Sequence, residues 1–252
     1  MPDKLHAYTE LASRTAGRIT DSYQEWTAFL ATAGRLYKYP FPEQLLIYTQ
    51  RPDATACADF DVWNRRMRRY VRRGAQGIAL IDYRSGKPAL RYVFDIADTG
   101  GDANSLRPWL WRYDDKEHAA AVSAALTKRF GKTEETDVAA QMDEISERLA
   151  QEYWNEHQND ILAVVQGSFL EEYDEFNVEA AFCHAASVSI SYALMVRCNL
   201  EPDEYFRHED FLSVFDFNTE ATVTALGMAV SQSTELVLRQ IEVANKNYER
   251  NK

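Results

Sequence analysis

The stretch DFDVWNRRMRRYVRRGAQGIALIDYRSGKPALRYVFDI, residues 59–96, decides the fold class, because the hydrophobic period changes within it. In its second half, two β-rich runs at 78–83 and 90–96 flank Ser85-Gly86-Lys87-Pro88, which predicts a β-hairpin. The first part, 59–69, has the pattern of a helix capped by Asp59 or Asp61. If the helix ran on to Gly74, Trp63, Met67, Tyr70 and Val71 would share one arc. Arg65, Arg66, Arg68, Arg69, Arg72 and Arg73 would take the opposite side, a guanidinium-rich surface suited to phosphate oxygens. Gly74 and Gly77 mark the turn into the first strand.

Working towards the N-terminus, Tyr23, Trp26, Phe29, Leu30 and Ala33 recur at helical spacing, with Thr20 or Asp21 as the expected cap. Pro40 and Pro42 lead into a short helix over 43–50, which Pro52 ends. Towards the C-terminus, the polar, glycine-containing run at 98–108 is a candidate boundary, after which the pattern is helical at about 115–130, 134–166, 178–198 and 219–248. The expected fold is α+β: a small antiparallel sheet with helices in the N-terminal part, followed by a helical bundle. The expected division is a nucleic-acid-binding domain over 1–97 and an acidic helical domain over 98–252.

Charge follows the same division. The net charge of −11 combines 15 basic and 10 acidic residues in 1–95 with 13 basic and 29 acidic residues in 96–252. A basic patch can attract phosphate while an acidic region beyond a Debye length is screened. Tyr48, Trp63, Tyr70 and Tyr83 lie near the arginines and offer faces on which unpaired bases could stack, although Trp63 begins the apolar arc and fits a core position better.

No signature of catalysis is evident. His6, His118, His157, His184 and His208 are scattered without a metal-ligand spacing, and His184, in the most apolar helical segment, fits a core position. Cys57, Cys183 and Cys198 form no paired motif and are expected as reduced thiols. There is no phosphate-binding glycine loop and no nucleophile elbow. No catalytic residue, metal or cofactor is therefore expected. No apolar run reaches the length of a membrane span and the first residues lack a secretory core, so no membrane partner and a cytoplasmic location are expected.

The run LLIYTQRPDA at 45–54, Trp63, and RYVRRGAQGI at 69–78 resemble the N-terminal domain of ArdC-type antirestriction proteins, which also begins large polyvalent proteins of conjugative mobile elements. The resemblance is specific over roughly 20–96; FDIADT at 94–99, SISYALMVRC at 189–198 and Leu226-Gly227 extend it more weakly. Two positions depart from the family pattern: Glu43 stands where Asn is common, and Ala75-Gln76 where charged residues are common. The resemblance implies sequence-independent binding of single-stranded DNA in antirestriction or strand protection. Tyr48 or Tyr70 would stack on bases, and Gln50, Arg51, Arg65, Arg66, Arg69, Arg72, Arg73 and Lys87 would contact the nucleic acid beside them. Two other roles fit the acidic half: mimicry of DNA to inhibit a host defence nuclease, or docking of conjugation proteins such as a relaxase or helicase.

Overall fold

The computed structural model describes residues 4–83 and 86–252. Three helices come first: α1 (Lys4–Ile19), α2 (Tyr23–Arg35) and α3 (Phe41–Gln50). The cap of α2 is Ser22, one residue beyond the expected pair, and its hydroxyl accepts from the Glu25 N–H. Pro42 sits in the first turn of α3, where its missing N–H has no intrahelical partner to lose.

Five short strands follow. β1 (Cys57–Asp59), β3 (Ile78–Asp82) and β4 (Ala89–Asp95) form one antiparallel sheet with β4 in the middle. β2 (Arg69–Val71) and β5 (Thr99–Gly101) form a separate two-stranded antiparallel ribbon. The β3–β4 hairpin matches the expectation, with Ile78 opposite Val93; Ser85 of its predicted turn lies outside the described residues. β1, β2 and β5 have no counterpart in the sequence pattern, and strand structure continues past residue 96 into the glycine-containing run.

The helix expected over 59–69 is confined to residues 60–66 and does not continue towards Gly74. A π-helical turn, Val62–Arg66, is followed by Arg68 in the left-handed region at φ 52, and the chain then extends into β2. Tertiary contacts outweigh the local helical pattern here. Asp102 organises a tight turn, receiving the Asn104 N–H at 2.8 Å, and that turn sends Leu106 N–H to Met67 O at 2.8 Å and the Ser105 hydroxyl to Arg68 O. Both carbonyls at the end of the π-turn are thus satisfied from outside, and the six arginines do not share a helix face.

The C-terminal part is α4 (Asp115–Phe130), α5 (Val138–Leu162), α6 (Glu175–Arg197) and α7 (Glu220–Asn251), joined partly by 3₁₀ turns. Asp114, Asp137, Asp174 and Thr219 cap these four through their side-chain oxygens. α6 is the central helix, packed on α2, α5 and α7. By length and composition it could cross a membrane, but most of its apolar window is buried inside the protein, as in a core helix. His184 on this helix is exposed, contrary to the core position expected for it.

The main apolar core crosses residue 97. Trp26, Phe29, Phe41 and Leu45 pack in the same cluster as Phe182, Leu194, Leu226 and Ile241. The indole N–H of Trp26 donates to Ser189 Oγ at 2.9 Å, and the Thr20 hydroxyl donates to Phe217 O at 2.8 Å. Gly227 is required at the α3–α7 crossing, because a Cβ there would lie 2.2 Å from Cε2 of Phe41. A smaller cluster of Leu36, Leu46, Ile47, Ala54, Ile78, Leu80 and Val93 fixes the three-stranded sheet to α2 and α3.

Candidate nucleic-acid interface

The β2–β5 ribbon carries the exposed basic surface. Arg69 and Tyr70 stand on β2 opposite Gly101 and Gly100. Tyr70 is 59% exposed, and its ring covers Gly100 so closely that a Cβ there would lie 2.5 Å from Tyr70 Cζ. The glycine lets the ring lie against backbone on one side while the remainder of the ring meets solvent.

Beside the ribbon, an open cleft of about 440 Å³ is walled by Arg69, Arg72, Arg107, Thr99 and the backbone of Gly100 and Gly101. Arg69 is held in place, its Nε donating to Thr99 Oγ1 at 2.8 Å. Arg72 is exposed, with one long contact of 3.4 Å from Nη1 to Ala97 O. Asp102 supplies the one carboxylate in the cleft wall and spends hydrogen bonds on its own turn. Three guanidinium groups around the exposed backbone of Gly101 suit an anion with several oxygens, such as a phosphodiester.

Next to the cleft, Arg66, Arg68 and Arg73 are exposed, and Arg65 is 79% exposed with a 3.5 Å contact to Asp61. An exposed pair of this kind contributes little and separates easily for a phosphate. Gly74, at φ 87, closes the turn in which Ala75 N–H donates to Arg72 O, so Arg72 and Arg73 project from a turn. Lys87 is exposed beyond β3, in the hairpin loop.

Three sequence-predicted contacts have structural roles. Gln50 uses both ends of its amide on the outer edge of β3, donating to Ala79 O and accepting from Ala79 N–H, each at 2.9 Å. Arg51 forms an ion pair with Asp98 and a longer one of 3.6 Å with Asp53, tying the end of α3 to the start of β5. Tyr48 is half-buried, edge-on to Phe29, and its hydroxyl donates to Glu25 at 3.3 Å; burial and the Glu25 carboxylate push its pKa up. Trp63 is buried, as expected, with its indole N–H donating to Phe94 O at 2.8 Å. Glu43 pairs with Arg91 at 2.7 Å, and Arg91 also reaches Asp59 at 3.1 Å.

Arg107, Thr99 and Ser105 carry no site signal in the sequence because they lie in the polar run 98–108, which reads as a candidate boundary. Gly100-Gly101 next to Thr99 was the available signal, since a glycine pair permits close backbone approach. Among the described residues one set could hold a metal ion by proximity, Glu117, His118 and Glu249. It is already engaged: His118 Nδ1 receives the Asp114 N–H at 2.9 Å, and Lys252 pairs with Glu117 at 2.9 Å.

Comparison with protein-family models, curated proteins and solved structures finds no match for this chain.

Proposed function

We propose that the protein binds single-stranded DNA without sequence preference, through the β2–β5 ribbon and the arginines around it, in antirestriction or protection of a transferred strand in the cytoplasm. The observation that carries this reading is the cleft of Arg69, Arg72 and Arg107 beside the exposed ring of Tyr70. Guanidinium groups neutralise backbone phosphates, and an aromatic face takes an unstacked base at about 1–3 kcal/mol per base. The resemblance to ArdC-type domains over 20–96 points the same way. Binding, with no chemical step, is the proposed activity.

The test is fluorescence anisotropy with a labelled strand of about 30 nucleotides across a salt series. If about five phosphates are neutralised, log K should fall against log salt with a slope of about −3.5. Replacing Arg72 and Arg73 together by Glu should weaken all sequences alike. Salt-independent binding, or none at low salt, would sink the proposal.

A second reading concerns the acidic half. Phe169 and Phe176 are 64% and 76% exposed, with Glu171, Glu172, Asp174 and Glu175 exposed around them. Apolar rings set among carboxylates favour a basic protein partner, such as a host nuclease or a conjugation protein. A protein acting only as a DNA mimic would bind that partner and show no affinity for DNA.

A further inference from the structure

A second cavity, of about 660 Å³, lies where the turn after α2, the residues before β1, the segment 109–113 and the end of α6 meet. Its volume is that of a small-molecule site. Tyr39 and Trp109 contribute aromatic surface, with Trp109 45% exposed. Four cations line it, Arg35, Lys38, Arg112 and Arg197, against one carboxylate, Glu242. That carboxylate is already engaged by Lys38 at 2.7 Å and by the Tyr37 hydroxyl at 2.6 Å.

The two deeper guanidinium groups distinguish this cavity from a packing gap. Arg197 stacks on Trp111 with its Cζ 3.5 Å from the ring centroid, and its Nη2 donates to Trp111 O at 3.0 Å. Arg35 donates to Ala54 O at 3.0 Å and Pro52 O at 2.6 Å. Among the described residues neither has a carboxylate within ion-pair distance, and burial lowers the pKa of both. A partly desolvated cation whose partners are carbonyls, the Thr32 hydroxyl and a ring, with no carboxylate, is stabilised by an anion brought to it.

We propose that this cavity binds a nucleoside 5′-phosphate, with the base against Trp109 and the phosphate neutralised by the cations of the wall. Stacking and cationic neutralisation are both required, which excludes a plain inorganic anion and an uncharged aromatic as equal ligands. Two sources share this chemistry: a free nucleotide, or the phosphorylated end of a strand. Pro108 lines the ribbon cleft and Trp109 this cavity, so a strand end has a short route between them. The proposal does not depend on strand binding by the ribbon.

The full chain is titrated with adenosine 5′-monophosphate, following tryptophan fluorescence and heat. Saturable one-to-one binding is expected, weakened about tenfold or more with adenosine in place of the nucleotide and in each of Trp109→Leu and Arg112→Met. Inorganic phosphate should compete only weakly. The Arg72→Glu, Arg73→Glu chain should retain nucleotide binding even where it has lost affinity for long strands, which separates failure of the ribbon reading from failure of this one. Displacement of the nucleotide by a 5′-phosphorylated oligonucleotide, and not by its unphosphorylated counterpart, identifies a strand end as the occupant; no displacement identifies the free nucleotide. Absence of saturable binding, equal binding of adenosine, or binding unchanged in both variants of the correctly folded protein overturns the proposal.

Discussion

Gln50 and Ala79 pair as two adjacent strands would: the side-chain amide of Gln50 donates to and accepts from the Ala79 backbone, at 2.9 Å in both directions. β3 is an edge strand, and its free edge is satisfied at this point by a side chain from α3. A glutamine that looked like a phosphate contact in the sequence is thereby committed to the fold.

Gln50→Ala should destabilise the protein by about 1–3 kcal/mol, because the buried Ala79 groups lose their partner. Gln50→Glu should be no better, since a carboxylate faces Ala79 O where a donor is needed. Thermal denaturation checks both. At temperatures where the variants remain folded, DNA anisotropy should be unchanged; a selective loss of DNA affinity at full stability would restore Gln50 as a ligand contact.

Gly227→Ala should destabilise by about 1–3 kcal/mol, since its methyl would meet the ring of Phe41. Phe41→Leu in the same chain should recover part of the loss, giving a coupling measurable in a double-mutant cycle by denaturant unfolding. Additive effects would mean that the contact between the two residues is not the cause.

Acid stability should depend on Glu242. Burial alone would raise its pKa, but hydrogen bonds from Lys38 and Tyr37 outweigh that and hold it below its ordinary 4.5. A depressed carboxyl stabilises the folded state above the unfolded pKa, and the contribution is lost as pH falls through the folded value. The melting-temperature gap between the parent chain and Glu242→Gln should therefore be full near neutrality and narrow below about pH 4.5. A gap constant from neutrality to acid would contradict this.

The three cysteines should resist thiol reagents. Burial pushes Cys57, Cys183 and Cys198 up to about 12, with the Asp95 charge adding to Cys57 and Glu179 to Cys183. At pH 8 the native protein should react with a disulfide reagent far more slowly than the unfolded chain. Rapid native labelling of any one of them would show that its thiolate is accessible.

Much of the helical bundle was legible because α5 and α7 carry apolar stripes, α6 is a long apolar run and all four helices have side-chain caps, which are local properties. Asp114 precedes α4 and Thr219 precedes α7, where cap residues belong. The β3–β4 hairpin was legible for the same reason. The ribbon was not, because β2 and β5 are three residues long and pair across a separation that no local pattern encodes. Arg65 to Arg73 looked like one helical face, and the Asp102 turn, folding back from a distance, redirected the chain at Arg68. Charge alone also could not separate Arg51, bound to Asp98, from Arg72, which faces solvent.

The ribbon contributes no residue to either apolar cluster. Its order rests on a few backbone bonds, the ring of Tyr70 over Gly100 and the Asp102 turn. Amide protons of β2 and β5 should then exchange with solvent through local opening, long before those of α6, which require global unfolding. A strand laid across the ribbon would slow that exchange selectively, so the ligand's free energy would register first as protection of six residues and only weakly as a shift in the melting of the whole protein.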